Sequence, residues 1–589
     1  MTSPAAPSAS AEQPGFHLDM RVVRAFGRFA GAFWVGPTAK LAWALTLGLA
    51  LVLSLSTLAT VWLNHWNRAF FDALEKRDLA AFKGAVAEFP IIILAMAAVG
   101  VGIVLTRETL QVRWRAWLVE QLLSRWLDNQ RFYHLNTSGK EPPNPEYRIS
   151  DDTRWATEIV VDLGIGLFSA VIGATAFISI LWHVGGSYTV GAVTIPAYMV
   201  LLALIYGAAA SGLMLLVGRP LVGRVGQKNE AEGYFRFAMM RLRDNAESIA
   251  LLRGAGAERR ILDRFYADVV TRWLAIVKSH GHVTWITNAS GPMIPIVPLV
   301  FAAPKYLAGD LTLGQVTQLA AAFIQVQIAI SWLVDNFNRI AEWYASARRV
   351  MDIKFATDEP VPITPIDAIP KPSAVGGLAL AGVAIKDGSG KTLIAPVDFT
   401  LKSGEMVQIA ADSGLGKSTL IRAIAGMSRP ASGVITYDPG MRLIVTPQRA
   451  YVPLGSLEGA LKYPDPDLAA PRAALVSALA SVGLGHLGPR LDDVERWDRI
   501  LAAGERQRLA LARLFVHSPD IVILDEALSA LEEPAQVALL SKLRSELAGA
   551  TILVLSQRLA PSHLFDRQLS FERAEGGARL NLAKPALSA

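Results

Sequence analysis

The chain has 589 residues, 52% hydrophobic and only 18% charged, a balance too apolar for an ordinary soluble enzyme and long enough for several domains. Cysteine is absent, which excludes a disulfide framework and a thiolate metal site. The net charge of +6 raises nucleic acid as a partner, but the arginines cluster in loops between apolar stretches, so a lipid bilayer accounts for the charge better and no nucleic-acid partner is expected.

Residues 1–20 form a polar Ala/Ser/Pro tail with no apolar core, unlike a signal peptide. Residues 26–34 are amphipathic, with Arg28 between aromatics, and read as an elbow helix along the inner membrane surface. Crossing a bilayer takes about 20 predominantly apolar residues. Six segments meet that need: 41–63, 89–105, 160–184, 192–217, 283–307 and 313–333. The last carries Gln315, Gln318, Gln325 and Gln327, which are costly in lipid and so should face other helices or a water-filled cavity. Acids within the spans are few, Asp162 being the main one.

Segments 107–154 and 219–278 are dense in Arg and Lys, whereas 183–191 has none, which places both dense segments, the N-terminal tail and everything after residue 333 in the cytoplasm. The group Arg68, Lys76 and Arg77 in the first outer loop runs against this rule, although Asp72, Glu75 and Asp78 accompany it. The predicted membrane domain covers residues 21–355. A linker at 356–377 follows, with Pro360, Pro362, Pro365, Pro370 and Pro372.

The remainder changes character. Val407-Gln408-Ile409-Ala410 is a short strand running into Ala411-Asp412-Ser413-Gly414-Leu415-Gly416-Lys417-Ser418-Thr419, after which Leu420 to Ala425 continues as a helix. Strand, glycine-bearing loop and helix form a phosphate cradle, with Lys417 reaching outer phosphates and the Ser418 hydroxyl holding Mg²⁺. Ala411 stands where the pattern has its first glycine. Ile521 to Leu524 form a buried strand that delivers Asp525, suited to the Mg²⁺ shell, and Glu526, suited to polarising an attacking water. Between them, Leu501-Ala502-Ala503-Gly504-Glu505-Arg506-Gln507-Arg508 is a glycine-bearing turn entering a helix, and Gln448 follows the strand from Leu443 to Thr446. A nucleotide with Mg²⁺ is the expected ligand.

On these motifs, residues from 378 onward resemble an ABC-transporter ATPase domain, placed at 378–575 with a C-terminal tail at 576–589. The resemblance assigns Leu501 to Glu505 to the nucleotide-contacting signature, Gln448 to the Q-loop and the Mg²⁺ shell, Ser529-Ala530-Leu531-Glu532 to the D-loop, and Gln557 to the position of the switch histidine. It implies two copies sandwiching two ATPs. Six spans followed by an ATPase domain describe an exporter-type half-transporter, that is, an α-helical membrane domain before an α/β P-loop domain.

Further segments resemble the SbmA/BacA-like membrane domain, which is related to the peroxisomal ABC subfamily. They are Arg113-Trp114-Arg115, Asn144-Pro145-Glu146-Tyr147-Arg148-Ile149, Gly218-Arg219-Pro220-Leu221, Glu247-Ser248-Ile249-Ala250 and Ala303-Pro304-Lys305-Tyr306; Tyr451 to Leu457, after the Q-loop, is similar to the peroxisomal ABC subfamily too. That resemblance implies a homodimer in a bacterial inner membrane, importing peptides such as antimicrobials or bulky hydrophilic solutes such as cobalamin. Peroxisomal relatives carry long-chain acyl compounds, which is the alternative cargo.

The sequence departs from the ABC pattern at four points. Besides Ala411, Ala502 replaces the signature serine, Gln557 the switch histidine, and Glu532 lengthens the D-loop acid. Slow hydrolysis is therefore expected. Two alternatives follow: a proton-driven transporter with a regulatory ATP-binding domain, and a degenerate half completed by a different chain in a heterodimer.

Overall fold

The computed structural model describes residues 19–190, 193–359, 376–387, 390–412, 414–428, 430–438 and 440–582. It divides into two compact units, Met1–Val361 and Pro362–Ala589. The linker prolines and Ser413 lie outside the described residues.

In the first unit the long helices are numbered in chain order. Helix α1, Met20–Gly31, starts where the Asp19 carboxylate accepts the Arg21 N–H, and a short 3₁₀ turn, Ala32–Trp34, follows. The elbow element expected at 26–34 is thus longer, beginning six residues earlier. Its apolar face buries Phe26, Phe29 and Ala30. Next come α2 (Ala39–Glu75), α3 (Leu79–Leu127), α4 (Thr153–Gly185), α5 (Tyr198–Asp244), α6 (Ala255–Ser290), α7 (Met293–Leu307), α8 (Leu313–Asp335) and α9 (Phe337–Asp358). Among the described residues, six helical stretches are long and apolar enough to cross a membrane.

Two spans differ from the sequence reading. The fourth does not begin at 192: Tyr188–Val190 and Val193–Ile195 pair as an antiparallel hairpin, and the helix starts at Tyr198. Pro196 lacks the N–H that would extend a ladder or a helix, and the β-branched run before it favours a strand. The fifth is broken between α6 and α7, where Pro292 follows Gly291.

The anomalous charges after the first span have a structural role. The Leu313 N–H donates to Glu75 at 2.8 Å and the Gly314 N–H to Asp72 at 3.0 Å, so two acids at the end of α2 cap the start of α8. A Cβ on Gly314 would lie 2.2 Å from the Arg68 carbonyl oxygen, so only glycine permits this approach. Two of the α8 glutamines face other helices. Gln318, fully buried, lies beside His65 and Asn64, and Gln327 donates to the Ala203 carbonyl at 2.8 Å. Asp162 on α4 accepts from Arg339 at 2.7 Å and from Gln111 at 2.9 Å.

A short π-helical turn, Arg148–Asp152, enters α4. There the fully buried Asp152 receives both Nε and Nη2 of Arg349 on α9, at 2.8 and 2.6 Å. Arg148 donates to Asp352 at 2.7 Å. This crossed pair of ion pairs fastens α9 to the start of the third span.

The second unit holds a six-stranded sheet ordered Arg579–Leu582, Arg567–Glu572, Met406–Ala411, Thr551–Ser556, Ile521–Asp525 and Leu443–Thr446. The last five strands are mutually parallel, and the first is antiparallel to its neighbour. Arg579–Leu582 is therefore part of the sheet, although the sequence reading placed it in a C-terminal tail. A smaller antiparallel sheet is formed by Thr392–Leu401, Leu378–Lys386 and Ser432–Thr436. The central strands are buried on both faces, as parallel strands covered by helices must be.

Candidate functional site

Four neighbouring parallel strands end at one edge of the large sheet, the position where open α/β sheets place ligands. Met406–Ala411 releases the cradle, Leu443–Thr446 leads to Gln448, Ile521–Asp525 to Glu526, and Thr551–Ser556 to Gln557. Strand pairing brings together groups more than 100 residues apart in the chain.

In the cradle, Gly414 and Gly416 take φ of +84° and +89°, left-handed backbone that disfavours any side chain. A Cβ on Gly416 would also stand 3.1 Å from Leu393 and 3.3 Å from Ile394. Lys417 opens helix Lys417–Ile424, and its buried ammonium donates to the Ala411 carbonyl at 2.6 Å. Ala411 is the last residue of its strand, outside the left-handed turn, so an alanine there costs the loop no strain.

Glu526 is the hub. Its carboxylate pairs with Lys417 at 2.7 Å and accepts from Gln448 at 3.0 Å and from Gln557 at 2.9 Å. Its φ of +48° is left-handed, unusual for a residue with a side chain, and its N–H is held by the Leu555 carbonyl at 2.9 Å. Burial pushes the neighbouring Asp525 carboxyl up from the usual carboxylate range, against the opposing bond from Ser418.

The donor set fits Mg-ATP. A buried lysine and left-handed glycines at a helix start suit phosphate oxygens. A hard cation takes oxygen ligands, and Ser418, Gln448 and Asp525 provide them. Asp412, Leu415 and Thr419 complete the described part of the cradle. Were Mg-ATP bound here, it would supply the phosphoanhydride bond, and the groups placed to hold it would be Lys417 as a charge, Asp525 and Ser418 as metal-shell oxygens, and Glu526 as a base to orient and polarise water. Lys417 stands against Glu526, so the pair must separate before the lysine can serve a phosphate.

The signature segment opens a helix of its own. Ala502 precedes helix Ala503–His517 and its N–H donates to Glu505 at 2.9 Å, but alanine has no oxygen to cap the helix in return. Ala502 and Ala503 are exposed, and Leu501 is buried beneath them. A Cβ on Gly504 would sit 3.2 Å from Leu531, so the glycine lets the D-loop approach. Among the described residues, no hydrogen bond joins Leu501 to Glu505 with the cradle.

Two positioning residues escaped the sequence reading. Buried Gln507 donates to the Gln448 carbonyl at 3.2 Å and accepts from the Ala530 N–H at 2.9 Å, tying Q-loop to D-loop. Buried Gln408 donates to Ser556 at 2.8 Å and to the Arg558 carbonyl at 3.0 Å, and accepts from Ala560, so it holds the turn that carries Gln557. An amide inside an otherwise apolar strand was the available signal for Gln408.

Comparison with known proteins agrees with this architecture. The family model described as ABC transporter transmembrane region 2 matches residues 33–307, and that described as ABC transporter matches residues 394–529. An uncharacterized ABC transporter ATP-binding protein of Synechocystis sp. is 28% identical, covering 93% of this chain and 83% of its own length. The inner membrane ABC transporter ATP-binding protein YddA of Escherichia coli is 27% identical over 86% of this chain and 90% of its own. ATP-binding cassette sub-family D member 3 of Homo sapiens is 24% identical, over 87% and 82%. Among solved structures, a bacterial Atm1-family ABC exporter with ATP bound shares the fold, with a TM-score of 0.70 at 19% identity, covering 92% of this chain and 95% of that one. The chain belongs to the ABC transporter family as a half-transporter of exporter fold, six membrane spans followed by one ATP-binding domain.

Proposed function

We propose that two copies of this chain form an ATP-driven transporter in a bacterial inner membrane, with the N-terminus and ATPase domain cytoplasmic. The observation that carries the reading is the convergence of Lys417, Asp525, Glu526, Gln448 and Gln557 at one sheet edge, with no hydrogen bond among the described residues joining the signature residues Leu501 to Glu505 to the cradle. One chain supplies half of each site, and a second supplies the other half. The apolar residues left exposed on α5 and α6, among them Phe237, Tyr266, Trp273 and Trp285, are further surface for a second copy to cover.

In this reading residues 21–355 form the pathway, 356–377 connect it to the ATPase domain at 378–575, and Arg241 to Leu251, with Gly254 and Glu258, transmit closure. The cargo is a peptide or a bulky hydrophilic solute such as cobalamin, moved inward. Turnover is slow because Ala502 and Gln557 weaken contacts to the γ-phosphate. Support comes from the inner-membrane designation of the Escherichia coli relative.

The proton-driven alternative is disfavoured, because the main acid in the spans, Asp162, is already paired with Arg339. The heterodimer reading draws on Ala502 and Gln557, which an intact partner would compensate. The test is purified protein in liposomes, with ATP hydrolysis measured beside uptake of a labelled peptide, labelled cobalamin and a labelled long-chain acyl compound, and Lys417→Ala as control. ATP-dependent uptake of either hydrophilic cargo, abolished in Lys417→Ala, is expected. Uptake that persists in that variant and follows a proton gradient overturns the proposal.

A further inference from the structure

We infer that the membrane domain carries a binding site for one anionic phospholipid, with its acyl chain between the first three spans and its headgroup on the arginine face of α1. A cavity of about 310 Å³ opens between α2, α3 and α4 beside the elbow. Its wall includes Trp34, Leu53, Leu110, Trp114, Gly164 and Phe168. The polar ends of both indoles are already used: Trp34 Nε1 donates to Thr46 at 2.9 Å and Trp114 Nε1 to the Ala30 carbonyl at 3.0 Å. What remains toward the cavity is apolar surface. Because α2, α3 and α4 are helices apolar enough to span a membrane, the molecule available to fill such a space is a lipid chain.

The second observation is charge. Arg21, Arg24 and Arg28 recur at helical spacing on α1, whose other face is buried through Phe26, Phe29 and Ala30. All three arginines are exposed, as is Lys40 at the start of α2, and among the described residues none of the four forms an ion pair with an acid. Lys40 precedes Thr46 by six residues within α2, about 9 Å along the helix, and Arg28 lies in the last turn of α1, just before the 3₁₀ turn that carries Trp34. Basic groups therefore stand within two turns of the cavity wall. Trp43, whose Nε1 donates to the Trp34 carbonyl at 3.1 Å, adds an aromatic ring at the same level. A zwitterionic lipid also brings a phosphate, but its own ammonium offsets that charge, so a cluster of cations with no acid partner favours a net-anionic headgroup.

Native mass spectrometry of the purified full-length protein, equilibrated with equal dioleoyl-phosphatidylglycerol and dioleoyl-phosphatidylcholine, tests both halves. Wild type should retain the glycerol lipid in preference. Arg24→Gln with Arg28→Gln, two surface changes, should cut that preference about 25-fold, because each basic residue near an anionic headgroup is worth about fivefold. Gly164→Leu should lower retention of both lipids. A Cβ at Gly164 meets nothing within 4 Å, so the leucine grows into open space, and replacing a helical glycine does not weaken the helix. An unchanged lipid ratio in the arginine variant overturns the headgroup site, and undiminished retention in a folded Gly164→Leu protein overturns the acyl cavity.

Discussion

Replacing Glu526 by glutamine is the most informative perturbation, because that carboxylate serves two opposed purposes. Without nucleotide it neutralises Lys417 at 2.7 Å, with the two side chains only 11% and 6% exposed. Removing one partner of a buried ion pair costs about 3–5 kcal/mol. Glutamine keeps an oxygen for the ammonium, and the Ala411 carbonyl remains at 2.6 Å, so the loss should fall near the lower bound of that range. The same change frees Lys417 from a competitor. A hydrogen bond to a charged group is worth about 1.5–3 kcal/mol, so ATP should bind about 10- to 150-fold more tightly to the variant in EDTA. With Mg²⁺, hydrolysis should fall at least ~100-fold, the scale of general-base catalysis, and the ATP-bound dimer should accumulate. The assay is protein in nanodiscs, measuring thermal unfolding without nucleotide, equilibrium ATP binding in EDTA and phosphate release with Mg²⁺. Affinity within twofold of wild type, together with an unchanged unfolding midpoint, would show that Glu526 does not restrain Lys417. Undiminished phosphate release would remove it as the base.

Three further outcomes are expected. Ala502→Ser with Gln557→His should raise turnover non-additively, up to the ~100-fold associated with one donor to developing charge, and an unchanged phosphate-release rate would point to a different partner chain. Asp152→Asn should destabilise the membrane unit by about 1–2 kcal/mol, measured by thermal unfolding, because fully buried Asp152 loses its charge-assisted bonds to Arg349, whose 41% exposed side chain water still solvates; exchanging both residues for apolar ones should recover most of the loss. Burial, with Arg442 adding to it, holds His517 below the usual imidazole value, so the unfolded chain takes up the proton first. Stability from this residue is present above pH about 6.5 and falls as pH drops below it, and His517→Phe should flatten the loss of ATPase-domain unfolding temperature between pH 7.5 and 5.5.

The amino-acid sequence by itself determined the features that depend on neighbouring residues. Hydrocarbon thickness demands long uninterrupted apolar runs, so six spans were legible, and a phosphate cradle demands glycines and a lysine at fixed short spacing, so Gly414, Gly416 and Lys417 stood out. Local pattern failed where another local force competed, as at Val193–Ile195, where β-branching and a proline ended the apolar run as a hairpin. Only tertiary structure decided which distant groups meet. Parallel pairing of Met406–Ala411, Thr551–Ser556, Ile521–Asp525 and Leu443–Thr446 delivers Lys417, Gln557, Glu526 and Gln448 to one edge, and no spacing rule within the chain encodes that adjacency. The same holds for Asp152 with Arg349 and for Asp72 and Glu75 at the start of α8. The sequence names no partner for these acids, because whether a charge is solvated or paired is set by what the fold packs against it.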